Sequence, residues 1–313
     1  MNETIKKHLI LILVVFSILI LSGCGSLGMQ KGNPDQPNGI GLYTPSGTEG
    51  LTLEFLADQP PAQVYTTAPL LFMIKVKNAG TYDLPAASLH LTGYDQSIVN
   101  INNGGYQQVF NLEGKSQFNP EGGMEIVEFE SNALHLPLGA QTYNPTFLLT
   151  ACYKYKTRAN PVVCLDTNPT DKLSDKVCNP NGASPGSQGA PIAVSSIEQE
   201  TTPKATYFRI QISNAGGGVA FDANSIGSCP HLLDYKELNK IRYYVPTLGE
   251  GQAFGECKPD HDKLRLVNGQ ATIFCKFPHS QQQGAYQTTL NIELEYGYKN
   301  SISQQVDIRS IDE

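Results

Sequence analysis

The chain has no tryptophan, so any aromatic contact surface must come from its 15 tyrosines and 12 phenylalanines. It also has no C-x-x-C pair, which leaves dithiol redox catalysis and a zinc ribbon without their usual signature. There is no basic run, and the formal charge of -7 disfavours a nucleic-acid partner. No G-x-S-x-G elbow occurs, and no long amphipathic helix is available to cover a parallel sheet, which argues against a doubly wound enzyme fold. The two Asn-x-Ser/Thr sites beyond the leader, Asn144 and Asn168, carry proline in the middle, so neither is an acceptor for N-glycosylation.

A long apolar span is missing too: Leu9 to Leu21 falls short of the roughly 20 residues that a spanning helix needs. Preceded by Lys6, Lys7 and His8, that run suits the core of a secretory signal peptide, expected over residues 1–23. It ends in Leu21-Ser22-Gly23-Cys24, which looks like a lipobox, with Cys24 the expected point of lipid attachment. A plain signal peptide or an uncleaved anchor is the alternative, and in each case the rest of the chain lies outside the cytoplasm. Without Cys24 an even set remains, Cys152, Cys164, Cys178, Cys229, Cys257 and Cys275, which in an exported chain reads as up to three disulfides.

Residues 24–50 are dominated by Gly, Pro, Ser, Asn and Gln and read as a flexible tether. By random-coil scaling the tether holds the folded part roughly 25–30 Å from the lipid. A second stretch of similar composition, residues 179–190, reads as a linker between two parts, 51–178 and 191–313. Both parts alternate apolar and polar residues. Leu51–Phe55, Phe72–Lys77, Ser88–Leu91 and Met124–Glu130 do so in the first part, and Thr206–Ile212, Ile241–Val245, Lys263–Val267, Ala271–Cys275 and Leu290–Tyr296 in the second. Period two with Gly, Pro and Asn between the runs predicts an all-β fold of two tandem immunoglobulin-like sandwiches. Asn268-Gly269 predicts a tight hairpin, and a weak helix is expected near Pro230 to Asn239.

The phrase Ile74-Lys-Val-Lys-Asn-Ala-Gly80 is echoed by Ile210-Gln-Ile-Ser-Asn-Ala-Gly216, and Tyr153-Lys-Tyr-Lys-Thr157 by Tyr296-Gly-Tyr-Lys-Asn300, at nearly constant offset. This spacing predicts a duplicated module, with Gly80 and Gly216 letting the chain leave the sheet. The strand pattern Phe72, Ile74, Val76, Asn78, Gly80 and its copy Phe208, Ile210, Ile212, Asn214, Gly216 resembles the second strand of CARDB-type and related immunoglobulin-like modules of archaeal cell-surface proteins. Over about residues 50–310 the chain is similar to two-domain surface lipoproteins of archaea. The resemblance implies a sandwich fold and a surface location, and it supplies no catalytic residues.

Aligning the copies sets Cys152 against Glu295 and Cys164 against Asp307, all at outward-facing positions. With a turn placed at Arg158, a cross-strand Cys152–Cys164 bridge is the first expectation, followed by Cys178–Cys229 and Cys257–Cys275. Chemistry-bearing clusters are sparse. Asp260-His261-Asp262 reads as a solvated turn rather than a metal site, because successive strand side chains point to opposite faces. His90, His135, His231 and His279 are scattered singles, and Gly216-Gly217-Gly218 opens no helix, so it is a weak phosphate loop. Tyr82, Tyr94, Tyr106, Tyr143, Tyr243, Tyr244 and Tyr286 read mainly as core or tyrosine-corner groups, with loop tyrosines available for a protein or glycan contact. The expectation is a lipid-anchored surface module, non-catalytic and without metal or cofactor, meeting a protein or glycan partner at the cell surface. An accessory subunit of an envelope secretion or filament assembly is the first alternative. A solute-binding protein or enzyme with an inter-domain site is the second.

Overall fold

Phe72, Ile74 and Val76 are fully buried while Lys75 and Lys77 between them reach solvent and pair with Glu54 and Glu121, so the period-two pattern becomes strand here as expected. The computed structural model describes residues 44–102, 105–171, 175–249, 253–254, 256–279 and 284–311; the expected signal peptide 1–23 and Cys24 lie outside them. The first half carries β1 (Leu51–Phe55), β2 (Gln63–Tyr65), β3 (Leu71–Asn78), β4 (Leu84–Thr92), β5 (Gln107–Leu112), β6 (Met124–Glu130), β7 (Thr142–Tyr143), β8 (Thr146–Ala159) and β9 (Val162–Asp166). The second carries β10 (Ile192–Thr201), β11 (Ala205–Asn214), β12 (Val219–Phe221), a 3-10 helix (Ala223–Ser228), β13 (Lys240–Leu248), β14 (Ala253–Phe254), β15 (Glu256–Lys258), β16 (Leu264–Arg265), β17 (Gln270–Pro278), β18 (Ala285–Gln305) and β19 (Asp307–Arg309).

The chain is all-β, with no sheet closed into a barrel. In the first half the sheet β1-β3-β6 packs on β4, β5 and β8, with Phe72 of β3 against Phe147 of β8 at 4.7 Å between ring centroids. That order corresponds to strands A-B-E over C′-C-F of an immunoglobulin-like sandwich. The second half repeats it with β10-β11-β17-β15 as the smaller sheet. A short fourth sheet, β2-β19-β7, pairs the last strand of the second half with two strands of the first.

What joins the halves is one antiparallel ladder. Strand β8 pairs with β18 from Thr146↔Gln305 to Ala159↔Ile292. The same register continues through Val162↔Thr289 to Asp166↔Ala285 on one side and Tyr143↔Ile308 to Thr142↔Arg309 on the other. The two copies of the repeated strand therefore face each other about a pseudo-two-fold at Lys154↔Gly297. Alternation puts Leu149, Ala151, Tyr153 and Tyr155 on the same buried face as Leu290, Ile292, Leu294, Tyr296 and Tyr298.

Four tyrosines form the middle of this face. Tyr155 and Tyr296 stack at 5.9 Å, Tyr153 and Tyr298 lie 5.9 Å apart, and each neighbouring pair along a strand is at 6.2 Å. Burial pushes the phenols of Tyr153, Tyr296 and Tyr298 above their ordinary range, so they stay neutral and need hydrogen-bond partners. Backbone amides at the start of each small sheet supply them: Leu51 N–H donates to Tyr153 at 3.1 Å and Ile192 N–H to Tyr296 at 3.2 Å. Thr157 gives its proton to the Ile192 carbonyl, which leaves Tyr296 as the donor to Thr157 Oγ1 at 2.8 Å.

The repeated Asn-Ala-Gly belongs to the same network. Asn78 Nδ2 donates to the Tyr82 carbonyl and Asn214 Nδ2 to that of Gly218, closing the turn after the second strand of each half. Thr81 N–H donates to Tyr155 at 2.9 Å and Gly218 N–H to Tyr298 at 2.9 Å. The glycines act by close approach: a Cβ on Gly80 would overlap the Tyr155 hydroxyl, and one on Gly216 would stand 2.6 Å from that of Tyr298. Neither glycine has a positive φ, so the expected backbone role gives way to this steric one.

Several expectations need correction. The two sandwich halves, 51–178 and 191–313, share one central sheet and one hydrophobic core among the described residues. The end of the 179–190 segment is built in: the Gly189 carbonyl accepts from Tyr155 at 2.7 Å and from Thr81 N–H at 3.0 Å, and Val194 N–H donates to Gln188. The tether likewise stops short of residue 50, since Ala79 N–H bonds the Gly50 carbonyl and Ser187 the Gly47 carbonyl. Asn268-Gly269 does form the tight turn, with φ of 52° and 77°. No helix forms over 230–239; the 3-10 helix precedes it.

The disulfides are Cys152–Cys229, Cys164–Cys178 and Cys257–Cys275, so one expected pairing is found and two are replaced. The error lies at Arg158, which pairs with Glu293 within the long ladder instead of turning. Cys152 and Cys164 therefore lie along one extended path, roughly 40 Å apart at about 3.3 Å per residue. Cys152 is covered instead by an insertion between β12 and β13, which brings Cys229 across from the second half. Cys257 and Cys275 sit directly opposite on β15 and β17 with a Cα separation of 4.1 Å. Replacing Tyr155 by phenylalanine should cost about 2 kcal/mol in urea unfolding, because the Thr81 amide and the Gly189 carbonyl lose a buried partner. Tyr106→Phe, at an exposed site, should cost under about 0.5 kcal/mol.

Candidate functional site

Three concave regions stand out among the described residues. The first, about 390 Å³, lies on the outer face of the sheet β10-β11-β17-β15. Register aligns two rows of side chains across that face, Glu198, Arg209, Phe274 and Lys258 in one and Glu200, Tyr207, Lys276 and Glu256 in the other. Arg209 pairs with Glu198 at 3.4 Å and its guanidinium lies 5.1 Å from the centre of the Phe274 ring, so the exposed aromatic is already engaged by a cation.

A second cavity of about 250 Å³ sits at the seam, lined by Glu49, Tyr153, Tyr298, Asn300 and Gly216-Gly217-Gly218. An active site between the halves would fall here, and Glu49 is its one carboxylate among the described lining residues. The glycines are no phosphate cradle: Gly216 N–H donates to the Pro191 carbonyl and Gly218 N–H to Tyr298.

The third region is a pair of adjoining hollows, about 310 and 140 Å³, at the outer end of β4 and the start of β5. Tyr94, Gln96 and Tyr106 line both, and His231 of the insertion forms a wall of the larger. The insertion is held by Cys152–Cys229, by Lys240 to Asp222 at 2.6 Å and by Ser225 to Glu237 at 2.6 Å, and it exposes Leu232 and Tyr235. Arg265 hydrogen-bonds the carbonyls of Tyr235, Lys236 and Leu238 from beneath.

The histidines do not converge on a reactive group. His90 is buried on β4 with Nε2 3.0 Å from Ser88 Oγ and Nδ1 unpartnered. Burial, with a smaller contribution from nearby His231, pushes its pKa down to about 4. His279 bonds Thr206, and His135 lies in the loop between β6 and β7, away from both. Asp260 is taken by Lys263 and Lys258, which hold its carboxyl down at about 2, so the Asp260-His261-Asp262 turn is a surface ion-pair cluster. Among the described residues no group of three or more His, Cys, Asp or Glu is arranged to hold a metal ion.

Most of the noted tyrosines prove structural. Tyr143 accepts from Asp95 N–H, Tyr243 donates to the Pro259 carbonyl and Tyr244 to Glu295. Tyr94 and Tyr106 are the two that meet at a cavity. The sequence did not single out the insertion as a wall of this region; its signal was the break of the second-half repeat between Phe221 and Lys240.

No family model matches this chain, and no curated protein does either. The three disulfides indicate an oxidising, extracytoplasmic environment. Among the described residues no helix is long and apolar enough to cross a membrane.

His90 yields a pH test. Its folded-state pKa lies near 4 against an ordinary 6.5, so between those values the unfolded chain binds the extra proton and stability falls as pH is lowered. The melting temperature should drop from pH 6.5 to 4, and His90→Asn should flatten that part of the profile relative to wild type.

Proposed function

We propose that this chain is a lipid-anchored display protein on the outer face of the cell membrane, a non-catalytic binding module that holds recognition surfaces clear of the bilayer. The observation that carries the reading is the stapled seam: a continuous ladder with four hydrogen-bonded tyrosines, closed on the outside by Cys152–Cys229, joins both halves into one body. A body built this way suits presentation of fixed surfaces better than closure around a substrate, which needs halves free to move. The Leu21-Ser22-Gly23-Cys24 motif and the polar segment after it support the anchor, and the likeness to CARDB-type surface modules supports the location. Among the described residues the concave surfaces are lined by aromatic and polar side chains without a nucleophile and base in contact, which favours binding over catalysis.

A second reading, as a subunit of an envelope assembly, draws on the open edge of β6, where Met124 and Ile126 are half-exposed. Glu125, Glu128 and Glu130 on the same short strand oppose unselective strand addition, so such an assembly needs a cationic partner strand.

The test is mass spectrometry and cross-linking on native membranes. Cys24 should appear as the modified N-terminal residue, and Cys24→Ser should move the protein from the membrane to the soluble fraction. An unmodified Cys24 still joined to its leader sinks the anchored reading, and a stoichiometric cross-linked assembly through β6 favours the second.

A further inference from the structure

We propose that the twin hollow formed by Tyr94, Gln96, Tyr106 and His231 is a binding site for a neutral saccharide. This deepens the reading as a binding module and rests on it. The two hollows share Tyr94, Gln96 and Tyr106, so they form one trough with two subsites, in the lower size range of small-ligand sites.

Its lining has an unusual charge pattern for this protein. The described lining residues, which also include Thr92, Asn100 and Ile101, contain no Asp, Glu, Lys or Arg. Asp95 lies next to Tyr94 in sequence, but its carboxylate is turned into its own loop, accepting from Ser97 N–H at 2.8 Å and Ser97 Oγ at 2.7 Å. An ionic ligand entering here loses hydration and meets no Asp, Glu, Lys or Arg among the described lining residues, the His231 imidazole being the one weakly basic group there. An uncharged polyol fits: aromatic rings meet the apolar C–H faces of a sugar, the Gln96 amide and Asn100 Nδ2 can donate to its hydroxyls, and Thr92 Oγ1, whose own proton goes to the Leu148 carbonyl, can accept from them. The groove on the other half's outer sheet is the contrast, since Glu198, Glu200, Glu256, Arg209, Lys258 and Lys276 line it and suit a charged ligand.

The trough is also pre-organised. The Tyr94 ring packs on the core ring of Phe147 at 5.3 Å, Asp95 N–H donates to Tyr143 at 2.8 Å, and Leu91 N–H donates to the Tyr106 carbonyl at 2.8 Å. The opposite wall, His231, stands two residues from Cys229, which is bonded to Cys152 on the central strand. At Tyr94, Tyr106 and His231 a ligand therefore meets walls held by the fold, which favours affinity for a small neutral partner. An extended peptide is the competing occupant. It is disfavoured because the trough lies at the loop end of β4 and β5, across the strands and not along a free ladder.

The full chain in a non-glycosidic detergent is probed with an array of neutral hexose and N-acetylhexosamine oligosaccharides, beside uronate-containing counterparts and unrelated peptides, with calorimetry on the hits. A neutral oligosaccharide should bind at least about tenfold more tightly than its uronate counterpart, consistent with one missing charge partner. Tyr106→Ala should weaken binding about tenfold or more at unchanged melting temperature, and Gln96→Ala several-fold. Phe274→Ala in the distant groove should leave it unchanged. The double variant Cys152→Ser, Cys229→Ser should weaken binding through the loosened wall, and its circular dichroism should stay that of the parent. The proposal is overturned if no neutral oligosaccharide binds, if binding ignores Tyr106→Ala and Gln96→Ala, or if peptides or uronates bind in preference. Sugar binding by a chain unmodified at Cys24 would refute the anchor alone, and a lipidated chain blind to every neutral sugar would refute this site alone.

Discussion

The rest of the structure depends on the pairing of β8 with β18. An immunoglobulin-like half normally follows its sixth strand with a hairpin back to a seventh, which completes the sheet. Here the chain runs straight on through Asn160-Pro161, and the place of the seventh strand is taken by the sixth strand of the other half. Two edges that separate sandwiches would have to protect are thereby consumed against each other. The cost is a broad interface in which four tyrosines are buried. Each of them accepts from a backbone amide of its own half, at the first strand or the turn after the second, and Thr157 and Tyr155 carry the network across, to Tyr296 and the Ile192 carbonyl and to the Gly189 carbonyl. These bonds tie the ends of the small sheets, the Asn-Ala-Gly turns and the 179–190 segment to a single interface.

The pseudo-symmetry makes its departures informative. Where the first half has the continuous strand β4, the second has β12, an insertion and β13. That insertion crosses to the first half, bonds Cys229 to Cys152, buries Phe221 beside them and brings His231 over the end of β4. Closing a loop of sequence separation 77 restrains the unfolded chain more than the separation of 14 at Cys164–Cys178, roughly 4 against 3 kcal/mol in the chain-entropy model. Stability and the trough beside Tyr94 thus come from the same covalent contact.

Much of the fold was legible. Strands at Leu51–Phe55, Phe72–Lys77 and Leu290–Tyr296 arise from period two, and the Asn268-Gly269 turn from its tolerance of positive φ. The inward set Leu149, Ala151, Tyr153 and Tyr155 was readable because alternation assigns faces without knowing neighbours. The partner of each strand was not readable. A local pattern says that Arg158 lies in extended or turning chain, but only the presence of β18 alongside decides that it continues. The disulfide pairing failed for that reason, since a turn at Arg158 would have joined Cys152 to Cys164. Tyr94 and Tyr106 were in view as loop aromatics, yet nothing in their spacing announced that His231 would close the cleft they share.

By itself the sequence determined the all-β character, the repeat, the buried faces and the even cysteine set beyond Cys24, because these rest on local periodicity, composition and short motifs. Tertiary structure alone decided that the two copies fuse through one ladder, which cysteines meet, and where an uncharged trough opens. Those outcomes depend on contacts between segments far apart in the chain, whose energies are set by mutual burial and hydrogen-bond satisfaction and by nothing written at either position singly.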